Sequence, residues 1–253
     1  MIIQLDFNKK KYKADLNHPL DVSLPLQEGS ENVNCYWADP IKFETISSGD
    51  FIGSVKAGGS VNYQKLSLTP HGNGTHTECY GHISADSSAT INHCLTNFHF
   101  ICEVLSLPVE TLANGDQVIT HKVFLEKVKY PQAEAVALRT LPNKNSKKLT
   151  QYSGTNPPYL EAAITEYLAS RNVLHLLIDL PSVDREVDEG KLLAHKAFWQ
   201  FPDNIRTQST ITELIYIDDS IPDGLYLVNL QIASLEMDAS PSKPVLYKLE
   251  EVS

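Results

Sequence analysis

Three histidines fall within twelve positions, at His71, His76 and His82, and Glu78 stands between the last two. Imidazoles and carboxylates together suit Zn or a neighbouring divalent ion such as Mn. An N/O ligand set of this kind leaves room for a bound water. The metal lowers that water's pKa towards neutrality, which makes hydroxide chemistry accessible near pH 7. The spacing favours a shared site. In a strand, residues two apart point to one face, so His76 and Glu78 project together. Gly72 and Gly74 let the backbone bend so that His71 can approach them. On spacing alone, a metal or catalytic site and an ordinary polar loop both remain open. His93, His99, His121 and His175 are read as structural: His175 sits inside an apolar run, and His93 and His99 flank another.

Such a cluster needs a scaffold. Short apolar runs recur along the chain between turn residues and predict strands. They cover 61–69, leading into the His-rich segment, then 98–107, 133–140, 173–180, 224–232 and 244–249. A helix is expected to open at Asn156-Pro157-Pro158, with Asn as N-cap and Pro in the first turn. Leu160, Ile164, Tyr167 and Leu168 then share one face. A second helix is expected over 191–200. Helices alternating with strands predict a mixed α/β domain spanning residues 1–253, with no internal repeat or linker to divide it.

Composition narrows the chemistry. The chain has 253 residues, 42% of them hydrophobic and 21% charged, enough for a core without disulfides or a structural metal. The formal net charge is -10. Nucleic-acid binders rely on basic stripes to reach phosphates, and none is present, so neither nucleic acid nor an anionic membrane is an expected partner. The cluster Lys9-Lys10-Lys11 reads as a solvated turn. A small-molecule substrate fits better. Cys35, Cys79, Cys94 and Cys102 form no CxxC pair and read as reduced thiols. With no signal-peptide pattern and no long apolar run, a cytoplasmic location is expected.

The segment His71-Gly-Asn-Gly-Thr-His76-Thr-Glu78-Cys-Tyr-Gly-His82 resembles the H-x-G-T-H-x-D-x-P-x-H motif of the cyclase-like metal-dependent hydrolases, which include bacterial kynurenine formamidases and isatin hydrolases. Gly74-Thr75-His76 matches its G-T-H core and His82 its last His. Further blocks follow in the family's order: Ile178-Asp-Leu-Pro-Ser-Val-Asp184, His195, Thr212-Glu213-Leu214, Ile221 to Tyr226, and Met237-Asp-Ala-Ser-Pro241. The likeness therefore spans nearly the whole chain.

What the resemblance implies is specific. It implies an α/β fold of the swivelling β/β/α type with a mixed sheet, assembled as a homodimer or homotetramer. It implies one or two divalent ions held by His71, His76, Glu78, His195 and Glu213, with His82 as the proton donor and acceptor. It implies hydrolysis of an amide, formamide or cyclic amide C–N bond, and places Trp37 among the aromatic residues that help enclose the substrate. Asp179, Ser182 and Asp184 are expected to support the site or its turns. Three departures stand out. His71 and His76 are five residues apart where the family has four, Glu78 replaces an Asp, and Tyr80 replaces a Pro. Cys79 would point away from Glu78 on a strand. The alternatives are a cyclase or lyase using His82 as base, and a binding protein that has lost catalysis.

Overall fold

The computed structural model describes residues 1–252. Its centre is a mixed sheet that closes on itself. Around the ring the strands run Gly224–Ile232, His99–Pro108, Ala135–Leu141, His175–Ile178, Thr210–Glu213, His76–Glu78 and Ala239–Lys248, and the last pairs with the first. Leu20–Asp21 adds outside the Ala239–Lys248 strand. The pairings from His99–Pro108 through to Thr210–Glu213 are parallel. All others in the ring are antiparallel.

Parallel neighbours need crossovers, and helices supply them. The α-helices are α1 (Pro70–Asn73), α2 (Ile91–Cys94), α3 (His121–Lys127), α4 (Ala162–Ser170) and α5 (Leu193–Trp199). Helices α3, α4 and α5 each connect one parallel strand to the next. Side chains alternate across the sheet. One set, including Val104, Ala135, Ala137, Leu177 and Val228, fills the inside of the ring. The other, including Leu105, Val136, Leu138, Leu176 and Ile211, faces out against Phe124 of α3, Ile164 and Leu168 of α4, and Phe198 and Trp199 of α5. Strands buried on both faces read as continuous apolar runs, which is why they were visible in the sequence. Each large side chain buried here contributes about 1.5–3 kcal/mol.

The mixed α/β arrangement is as expected, but one helix boundary is corrected. Asn156-Pro157-Pro158 does not open α4. Tyr159 and Leu160 instead pair in parallel with Val118 and Ile119, and α4 begins at Ala162. Leu160 N–H donates to the Val183 carbonyl and Glu161 N–H to that of Ile119, so these two amides serve the sheet edge. Leu160 still packs with Ile164 and Leu168, because the strand delivers it to the same cluster. The closing hairpin Ile2–Phe7 and Lys10–Asp15, paired with Glu250–Glu251, carried no clear sequence signal.

A polar stripe crosses the inside of the ring. Thr77 and Thr212 meet hydroxyl to hydroxyl at 2.8 Å. His175 Nδ1 lies 2.9 Å from the Thr210 hydroxyl, and its ring centroid is 3.8 Å from that of Phe100. Burial, with a smaller contribution from Arg206, pushes the His175 pKa down to about 3. The folded state therefore holds this ring neutral. Its contribution to stability is complete above the unfolded value near 6.5 and is lost as pH falls from there towards 3. Urea unfolding of wild type and His175→Leu between pH 7.5 and 5 checks this. The stability gap between them should narrow below pH 6.5 by about 1.4 kcal/mol per unit. A gap that stays constant contradicts a neutral, buried His175.

Candidate metal centre

The His-rich segment enters the ring through α1, a single helical turn. Its turn is tied by Asn73, whose Oδ1 accepts from Thr69 N–H at 2.6 Å while Nδ2 donates to the Asp39 carbonyl. This turn and Gly74 after it take up most of the interval between His71 and His76. Gly74 ends it at φ 156° and ψ -164°, a conformation open to glycine alone, and a Cβ there would lie 2.4 Å from Leu26 Cδ2. Gly72 is equally constrained, since its Cβ would sit 2.3 Å from that of Ala38.

The strand that follows sets the site's geometry. His76 stands opposite Glu213, and Glu78 opposite Ile211. Ile211 faces the helices, so alternation puts His76, Glu78 and Glu213 on that outer face beneath α5. His195 reaches them from α5. Its Nε2 lies 3.1 Å from Glu78 Oε1 and its Nδ1 2.7 Å from Asp184 Oδ2. Asp184 also accepts the N–H groups of Ala194 and His195, so one carboxylate holds both the first turn of α5 and the ring. His82 projects from the turn Tyr80–Ile83, and its ring lies 5.5 Å from His195 and 4.4 Å from His71, centroid to centroid.

The site is a cage of alternating charge. Glu78 is 1% exposed, and His71 Nδ1 stands 3.2 Å from its Oε2. Burial raises the Glu78 pKa, but His82, His195 and His71 outweigh it and hold the carboxyl well below its usual range. Glu213 is shifted upward instead, by burial first and then by the Glu78 charge. Burial opposes protonation of His71 and His195, yet their carboxylate partners win and raise both to about 10.

The donor set fits a divalent ion. His76 Nδ1 bonds to the Gly74 carbonyl at 2.9 Å, which leaves Nε2 facing the site. Among the described residues that Nε2 and Glu78 Oε2 are buried and make no hydrogen bond of good geometry, although Glu213 and His71 stand close to them. Buried polar atoms are rarely left unsatisfied, and each costs about 1–3 kcal/mol. Donor atoms of His71, His76 and Glu78 lie within 4.8 Å of one another, as do those of Glu78, His82 and His195. Glu213 Oε2 is 3.4 Å from His76 Nε2.

The six polar residues singled out in the sequence, His71, His76, Glu78, His82, His195 and Glu213, are thus brought together. Trp37 is not. It is 71% exposed, its N–H donates to the Ser153 hydroxyl, and its ring lies by Gly154. Both Tyr36 and Trp37 adopt positive φ, which turns the chain so that the Tyr36 hydroxyl points inward to the Pro181 carbonyl at 3.2 Å. Cys79 points away from the site and donates to the Ala89 carbonyl. One residue was missed. Asp238 Oδ2 lies 2.8 Å from His71 Nε2 and 3.2 Å from His82 Nδ1. It stands in the quoted block Met237–Pro241, but 156 positions from His82 no spacing rule applies.

Comparison with known proteins agrees with this geometry. The model of the Cyclase family, described as "Putative cyclase", matches residues 14–185. A kynurenine formamidase of Bacillus anthracis is 25% identical over 235 residues, covering 90% of this chain and 96% of that protein. Another, from Bacillus cytotoxicus, is 26% identical and covers 91% and 97%. Among solved structures, a predicted metal-dependent hydrolase from Bacillus stearothermophilus aligns with a TM-score of 0.64 at 18% identity, covering 91% of this chain and 98% of that one. Isatin hydrolase A from Labrenzia aggregata aligns with a TM-score of 0.64 at 13% identity, covering 92% and 94%. The ordered motif blocks, the closed mixed sheet and the match over two thirds of the chain lead to one conclusion: this chain belongs to the Cyclase family.

Proposed function

We propose that the chain is a metal-dependent hydrolase that cleaves an amide, formamide or cyclic amide C–N bond of a small molecule. The observation that carries this is the pair of buried ligand atoms without a well-formed hydrogen bond, His76 Nε2 and Glu78 Oε2, inside a ring of further imidazoles and carboxylates. The names of its kynurenine formamidase relatives make N-formylkynurenine the first substrate to try. His71, His76, Glu78, His195 and Glu213 would hold one or two divalent ions, Zn or Mn. Such an ion supplies a Lewis acid for the carbonyl and lowers the pKa of a water.

The chain's own residues divide the remaining work. His76, Glu78 and His195 are almost wholly buried, whereas His71, His82 and Asp238 are a quarter to a third exposed, so substrate arrives from their side. His82 sits at that rim, where it can take a proton from the attacking water and return it to the leaving nitrogen. The Tyr36 hydroxyl, directed at Pro181, takes over the enclosing role that the resemblance implied for Trp37. All four cysteines are free and buried, which fits a reducing, cytoplasmic setting, and among the described residues no helix is long and apolar enough to cross a membrane. A homodimer or homotetramer is also proposed. The arm formed by Lys42–Thr45, Gln64–Ser67 and the hairpin between them exposes Phe51, Val61, Tyr63 and Leu66, an apolar face that a second copy would cover.

Three measurements test these proposals. Carboxylates keep His71 and His195 protonated near neutral pH, and an incoming divalent ion takes the place of those protons. Zinc uptake at pH 7 should therefore release about two protons, and apparent affinity should climb steeply up to pH 9. Calorimetry in buffers of different ionisation enthalpy reads this directly. Uptake without proton release removes both rings from the ligand set.

The second measurement separates the roles of the histidines. His76→Ala should lose metal and activity together, since even outer partners of a ligand matter 10–100-fold. His82→Ala should keep its metal but lose activity by roughly 10²–10⁴-fold on N-formylkynurenine. Metal loss in His82→Ala matching that of His76→Ala makes His82 a ligand. Full activity with full metal ends its role in proton transfer.

The third concerns assembly. Light scattering should give at least about twice the 28.2 kDa chain mass, and Tyr63→Glu with Leu66→Glu should lower it. A monomer at micromolar concentration contradicts the assembly.

A further inference from the structure

One carboxylate in the cage is neither among the ligands above nor a proton carrier. We propose that Asp238 is a positioning residue that sets the ring orientation of His71 and His82 together, through a single oxygen. The inference rests on the metal-dependent hydrolase reading for what the two rings then do.

The backbone holds Asp238 firmly. Its carbonyl accepts from Cys79 N–H at 3.0 Å, the carbonyl of Met237 accepts from Ile91 N–H at 2.7 Å, and the next residue, Ala239, stands opposite Glu78 in the sheet. Asp238 is thereby fixed one position beyond the strand that carries Glu78. Its Oδ2 accepts from His71 Nε2 at 2.8 Å and from His82 Nδ1 at 3.2 Å. The two rings lie 4.4 Å apart and tilted by 35°, close enough to share that one acceptor.

The chemistry of each ring follows from which nitrogen is committed. In a neutral imidazole the nitrogen that donates to a carboxylate carries the hydrogen and the opposite nitrogen keeps its lone pair, the state His71 takes once an ion displaces its second proton. For His71 the committed nitrogen is Nε2, so the one that remains is Nδ1, 3.2 Å from Glu78 Oε2 and facing the candidate ion position. For His82 the committed nitrogen is Nδ1, which leaves Nε2 as the atom able to take a proton at the open rim. One carboxylate thus presents one imidazole to the ion and the other to the substrate. With Oδ2 already accepting from both rings, Asp238 acts through them.

The test uses Asp238→Ala, Asp238→Asn and Asp238→Glu in the full chain. Three readouts are taken: zinc affinity by competition with a chelator, histidine-ring ¹⁵N spectra of the zinc-loaded protein, and kcat and KM on N-formylkynurenine. In Asp238→Ala, zinc should bind about 10–100-fold more weakly, the scale for removing the partner of a ligating histidine. The hydrogen-bonded Nδ1–H signal of His82 should disappear, and kcat should fall at least about tenfold while KM stays within a few-fold. Asp238→Glu should recover part of kcat, and Asp238→Asn should fall between it and Asp238→Ala. Wild-type zinc affinity and kcat in Asp238→Ala overturn the proposal. So does zinc loss as complete as in His76→Ala, which makes Asp238 a ligand, and so does an unchanged His82 Nδ1–H signal. If wild-type protein leaves N-formylkynurenine intact, the substrate assignment fails by itself, and zinc affinity and the ring spectrum still decide the role of Asp238.

Discussion

The structure around the site depends on one uncomfortable fact, a carboxylate at Glu78 with 1% of its side chain exposed. An isolated buried charge costs many kcal/mol, and the folded chain retains it only by surrounding it with compensating groups. Three imidazoles do so here, and each arrives by a different route. His71 comes from a helical turn made possible by two glycines, His82 from the turn just after the strand, and His195 from a helix that packs on the outside of the ring. Each imidazole is in turn backed by a carboxylate, Asp238 for the first two and Asp184 for the third. The pattern of anion, imidazole and anion repeats on both sides of Glu78. It explains why so many ionisable groups are packed in one place without pushing one another apart.

The same arrangement ties catalytic reach to sheet register. His76 and Glu213 face one another because Thr77 and Thr212 do so on the inner side, hydroxyl to hydroxyl. A one-residue slip of the His76–Glu78 strand would send His76 and Glu78 into the ring and bring Thr77 out. The inner Thr–Thr contact and the outer cage therefore stabilise the same register from opposite faces.

Much of this was legible in the sequence. The strands buried on both faces announced themselves as apolar runs, and the His-rich segment carried its own spacing. What was legible is local, being set by periodicity and by residues a few positions apart. What was not legible is long-range. Nothing near Tyr159 or Leu160 states that Val118 and Ile119 lie beside them, so a helix start looked reasonable where a short strand forms. Asp238 is a lone carboxylate in a loop until the sheet brings it to His71. Trp37 was picked out on residue type and place in the chain, whereas the bend made by the positive φ at both positions turns the Tyr36 hydroxyl inward and leaves Trp37 exposed.

The strand Ala239–Lys248 closes the ring, and Asp238 directly precedes it. The partners of Asp238 at His71 and His82 stand 167 and 156 positions earlier and are synthesised first. During translation, then, the emerging polypeptide carries most of the ion-binding groups with no closed ring to organise them. Closing the ring and delivering Asp238 to His71 and His82 are thus one event, so the cage is finished only when this last strand of the ring has docked.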